Sequence, residues 1–176
     1  MDDFAQWLAC LLKQREDDVQ RLLDDKVALY FLMTWTLFES KCFSGFMQAS
    51  AINKFSERIV RNEKFDVAPL VPSARCFHER YQDSERLTHL LHDRARRPAD
   101  LMQCLSTPFE ELAPEKVVYF VVFVVFRYRN NMFHGNKRIQ SWLRFSEQIA
   151  LCTMAMQAFI SHAEVMNPTV SWPVTE

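Results

Sequence analysis

The apolar positions of this chain recur at helical spacing almost from its first residue. Asp2 or Asp3 can cap a helix whose apolar side holds Phe4, Trp7, Leu8 and Leu11. From Lys13 to Lys26 charged residues alternate with Val19, Leu22 and Leu23, which predicts a helix that continues or breaks near Asp17-Asp18. Val27 to Phe43 is apolar on all sides, as a core helix is, and Ser44-Gly45 ends or kinks it. Phe46, Ala49, Ile52, Phe55 and Ile59 form the next stripe. The stretch V-A-P-L-V-P-S, residues 67–73, reads as a connector. Ala74 to Arg97 is polar with Leu87, Leu90 and Leu91 as its apolar side, and a short helix fits Ala99 to Leu105.

Pro114 suits the first turn of the following helix, with Glu115 favourable beside it. Residues 117–126 are ten consecutive apolar residues rich in Val and Phe. Their β propensity is high. They do not alternate, and a buried strand would need partner strands that the rest of the chain does not offer, so a buried helix is expected. Gly135 fits the position just past its end. A last long helix is expected from Lys137 or Arg138 through Trp142, Phe145, Ile149, Met156 and Phe159 to about Glu164, stopping at Asn167-Pro168. The predicted architecture is all-α. It is one domain over 1–168, an up-down bundle of four to five long helices with a helical insert at 72–112, and a tail at 169–176.

Composition removes several alternatives. Only two glycines occur, Gly45 and Gly135, so Gly-rich phosphate loops are excluded, and no Asn-Gly or Asp-Gly is present to turn a tight hairpin. The five cysteines, Cys10, Cys42, Cys76, Cys104 and Cys152, are widely spaced and odd in number. They read as reduced core thiols of a cytoplasmic protein. The acidic N-terminus does not read as a signal peptide, and the ten-residue apolar run is about half of a membrane span, so no membrane partner is expected. Cys76, His78, His89 and His92 do not have the spacing of a zinc site, and neither a metal nor a cofactor is expected.

Charge is distributed unevenly. Residues 1–25 hold seven acids and three Lys/Arg, a balance of −4. Residues 116–146 hold six Lys/Arg and no acid, a balance of +6. The basic stretch surrounds R-Y-R-N-N-M-F-H-G-N-K, residues 127–137, and an anionic partner would need such a stretch. Within it Asn130 and His134 share a helix face, while Arg129 lies about 140° round from His134. A histidine at a helix C-terminus is favoured as a cation by the dipole and opposed by the nearby Arg129, a balance that suits proton transfer near neutral pH.

R-N-N-M-F-H resembles the R-x4-6-H motif of the HEPN superfamily, in which a polar residue, often Asn, follows the Arg. The match covers six residues, extended by Gly135, and the placement is similar: the motif ends one long helix and another follows. The upstream W-T-L-F-E, with Glu39, is also similar to the family. The resemblance implies a metal-independent endoribonuclease, as in toxins and anti-phage effectors, with Arg129 and His134 as the catalytic pair and Asn130 as a positioning residue. It implies a homodimer with the site at the interface, an RNA substrate, and a cognate antitoxin or sensor. Arg127, Lys137 and Arg138 are candidates for holding the RNA backbone, by charge and position. Glu39 is a candidate to hold Arg129. A non-catalytic HEPN-like module that binds a partner protein or a nucleotide is the alternative. The chain departs from the family at Asn136, where toxins silenced by nucleotidylation carry Tyr.

Overall fold

A computed structural model describes residues 3–91, 97–133 and 144–166. Among these residues every regular element is helical, so the all-α expectation holds. Helix α1 spans Asp3–Leu12 and α2 spans Glu16–Asp24. The break falls at Lys13, which takes a left-handed φ of 52°, and not at Asp17-Asp18. Glu16, Asp17 and Asp18 instead form the first turn of α2, where the helix dipole favours acids.

Helix α3, Val27–Phe43, begins where Asp25 Oδ1 accepts the Val27 N–H at 2.9 Å. It ends as expected at Ser44-Gly45. Both residues are left-handed, with φ of 58° and 101°, and the Gly45 N–H donates to the Glu39 carbonyl at 2.9 Å. Helix α4, Ala51–Val60, buries Ile52, Phe55 and Ile59. Phe46 and Ala49 precede it, and Phe46 is exposed, so the expected stripe starts only at Ile52.

The expected connector at 67–73 is largely helical. A 3-10 turn at Ala68–Leu70 leads directly into α5, Val71–Arg80. Pro69 and Pro72 sit in first turns, where a missing N–H leaves no bond unmade. The single helix expected over 74–97 is two: α5, then α6 at Ser84–Leu91. Asp83 makes the division, since its Oδ1 accepts the Arg86 N–H at 3.0 Å and caps α6. Helix α7, Ala99–Ser106, matches expectation, and a 3-10 turn at Phe109–Glu111 follows.

Helix α8, Pro114–Phe133, organises the molecule. Val118, Phe120, Val121, Val122, Val124 and Val125 are fully buried on every side of it. It packs against α4, α5, α6, α7 and the last helix, α9, at Ser146–Met166. Five helical neighbours, and no strand, account for the ten-residue apolar run. The expected insert at 72–112 belongs to the same core: Ala74, Phe77, Leu87, Leu90 and Leu101 share one cluster with α3, α4, α8 and α9. Helices α3 and α9 form the most extensive pair. Phe38 and Phe159 lie between them with ring centroids 5.6 Å apart, and Phe55 packs on both. Helices α1 and α2 pack on each other around a small separate cluster of Leu8, Ala9 and Val19. Among the described residues no helix is long and apolar enough to cross a membrane.

Candidate functional site

The last two described turns of α8 carry the first part of the motif, residues 127–133, and divide it between two faces. Arg127 and Asn131 are four residues apart and share a side. Arg127 Nε donates to the Leu90 carbonyl at 3.1 Å, and Asn131 Nδ2 donates to the same oxygen at 3.3 Å. Leu90 belongs to α6, Ser84–Leu91, and its one carbonyl oxygen accepts from both a cation and an amide donor. Both side chains are buried as a result. This corrects the expectation for Arg127: it secures the end of α6 inside the core and is not on the surface to meet an RNA backbone.

Arg129 and Asn130 turn to the other side. Arg129 Nη1 donates to Asn130 Oδ1 at 3.1 Å, and the guanidinium carbon lies 5.6 Å from the ring centroid of Trp35 on α3. Trp35 is buried, and its Nε1 has no hydrogen-bond partner among the described residues. The guanidinium is thus seated on an indole face, a cation–π contact that fixes a long side chain. Asn130 is thus in direct contact with the Arg129 guanidinium. Glu39 lies one turn beyond Trp35 on α3, but its Oε1 accepts the Met47 N–H at 3.1 Å. Its described role is to fasten the loop after α3, and Trp35 is the α3 residue that meets Arg129. Sequence reasoning missed Trp35, although it stands in the W-T-L-F-E stretch. His134, Lys137 and Arg138 lie outside the described residues, as do Gly135 and His92.

The spacing alone admits two arginines. Arg127 precedes His134 by six intervening residues and Arg129 by four, and R-x4-6-H accepts both. The burial of Arg127 against α6 leaves Arg129 as the one whose seat lies at the α3 side.

A cleft of about 620 Å³ opens on the opposite side of the same helix end, between α5, α6, α8 and α9. Arg80, Arg86, Arg144, Tyr128, Asn131 and Gln148 line it, together with acids of α6 and α9. Asn131 is one of its lining residues, and the Asn131 Oδ1 is a fully buried acceptor with no partner among the described residues. The Tyr81 hydroxyl donates to that of Tyr128 at 3.1 Å. Burial pushes the Tyr128 hydroxyl up to about 12 and Tyr81 upward as well, so near neutrality both are hydrogen-bonding groups and not bases.

The other titratable candidates are accounted for structurally. His78 is buried, with Nε2 3.1 Å from the carbonyl oxygens of both Cys104 and Thr107. His89 sits 3.6 Å from Glu85 on the surface of α6. No group of metal-ligating side chains occurs among the described residues. Compared with protein-family models, with curated proteins and with solved structures, the chain matches none. The HEPN resemblance therefore rests on the sequence motif.

Proposed function

We propose that this chain is a metal-independent endoribonuclease of HEPN type. The observation that supports it is the seat of Arg129: a guanidinium held by its neighbour Asn130 and by the Trp35 indole, at the end of the helix that leads into His134. In the reaction the RNA 2′-oxygen attacks the adjacent phosphorus as its proton passes to a base. The bond to the 5′-oxygen breaks, that oxygen takes a proton from an acid, and a 2′,3′-cyclic phosphate and a 5′-hydroxyl result. Arg129 stabilises the charge that builds on the phosphorane oxygens. His134 moves protons. One copy supplies one such histidine, so a base and an acid acting together call for a homodimer with two motifs at its interface. A toxin or anti-phage effector restrained by an antitoxin or sensor is the setting that this chemistry fits.

The test is cleavage of RNA by purified protein in EDTA. Cleavage that survives chelation and disappears in folded His134→Ala and Arg129→Ala variants is the expected result. Cleavage that needs a metal, or that is indifferent to both substitutions, would refute the proposal.

The cleft favours a second reading, a non-catalytic module that binds a nucleotide. The lining arginines Arg80, Arg86 and Arg144 suit phosphate, and Asn131, Gln148 and Tyr128 offer polar groups to a base. Calorimetric titration with mononucleotides that shows binding, abolished by Asn131→Leu, in a protein with no cleavage activity would select this reading.

A further inference from the structure

Among the described residues two apolar stripes are left exposed, and both belong to the first third of the chain. On α1, Phe4, Trp7 and Leu11 recur at i, i+3 and i+7 and are 51 %, 54 % and 62 % exposed. On α3, Leu29, Met33 and Leu37 recur every four residues, flanked by Tyr30 and Leu32, with exposures from 39 % at Leu37 to 58 % at Met33. The opposite side of α3, with Phe31, Trp35 and Phe38, is already in the core. A helix whose outer side faces water has no need of five large apolar residues there.

Among the described residues the α1–α2 arm packs mainly on itself. Its buried residues form a cluster separate from the main core. Neither stripe contains a charge: Phe4 to Leu12 and Val27 to Phe38 are free of Asp, Glu, Lys and Arg. They can meet without stranding an ion in an apolar contact. They match in length, at roughly 10 Å for α1 and 12 Å for α3 on a rise of 1.5 Å per residue. A large apolar side chain at half exposure shows on the order of 100 Å². Three on α1 and five on α3 then amount to roughly 800 Å², which is what each partner contributes to an interface of standard size. Either stripe alone falls short of it.

We infer that the occupant is a second copy of this chain, and that the two copies exchange their arms. Phe4, Trp7 and Leu11 of each copy pack on Leu29, Met33 and Leu37 of the other about a two-fold axis. A two-fold contact uses each surface once on each side and closes, so both exposed stripes disappear in one assembly. The inference stands on these two surfaces and does not depend on the ribonuclease reading.

Light scattering on the eluting protein at micromolar concentration should give twice the chain mass. Trp7→Glu and Met33→Glu should each raise the dimer dissociation constant at least about tenfold without changing the helical circular dichroism. A photo-crosslinking amino acid in place of Trp7 should capture an α3 peptide. In a mixture of isotopically light and heavy copies, that crosslink should join light to heavy. A monomeric parent protein, a dimer indifferent to Trp7→Glu, or crosslinks confined to one copy would each overturn the exchange.

Discussion

Arg127 and Arg129 are two residues apart and have different surroundings, and the difference is measurable. Arg127→Met removes a charged donor from the Leu90 carbonyl. The expected loss is about 1.5–3 kcal/mol of stability, read from urea unfolding. An unchanged urea midpoint would mean that the buried contact contributes nothing. Asp100 offers a pH-resolved case. Hydrogen bonds from Lys116 at 2.8 Å and Asn53 at 3.0 Å hold its carboxyl below the usual carboxylate range. A folded-state value below the unfolded one means that the contribution is present above about pH 4 and is lost as pH falls through the lower folded value. Asp100→Asn should therefore lower the urea midpoint at pH 7, and the gap to the parent should close toward pH 2. A gap that stays constant across this range would show that the ionic form is not what matters. At this scale the motif was legible, but the roles within it were not. Both arginines are basic and precede the same histidine, and what separates them is the end of α6, whose Leu90 is 37 residues upstream of Arg127.

Elements were easiest to read where one physical signal dominated. The apolar run in α8 has no polar face, so only a fully enclosed helix or strand could hold it, and the missing partner strands decided between them. Pro69 and Pro72 misled because proline suits a first helical turn as well as a connector. The division between α5 and α6 had a signal, an Asp just before the first turn of a helix, that was hidden in a long polar stretch. The cysteines report on the elements independently. Cys10 on α1 is exposed, whereas Cys42 on α3, Cys104 on α7 and Cys152 on α9 are buried. Burial pushes Cys42 up to about 12 and Cys104 to about 11, and raises Cys152 as well. With a disulfide reagent at pH 8, Cys10 should react at once. The three buried thiols should react only as their helices open, with rates that converge as urea is added. Immediate reaction of Cys104 or Cys152 would contradict the packing of α7 or α9.

The assembly of the whole molecule was the least legible. Segment 72–112 reads as an insert because its helices are short and polar in sequence, yet each buries two or three apolar residues, and only their sum makes it a wall of the core. Tertiary burial of this kind leaves little local trace, whereas the amphipathic period of single helices is local by nature. Enclosing α8 has a further consequence, for misfolding. The segment V-V-Y-F-V-V-F-V-V-F has high β propensity, no charge and no proline, which is the composition of steric-zipper segments. Only the surrounding helices keep it from pairing edge to edge with other chains. Once they separate, as on heating, association of these segments should outpace refolding. Thermal unfolding should then be irreversible, with a midpoint that rises with scan rate, and Val121→Lys should yield a chain that does not fold but stays in solution. The most deeply buried helix of the native protein is also its strongest seed for aggregation.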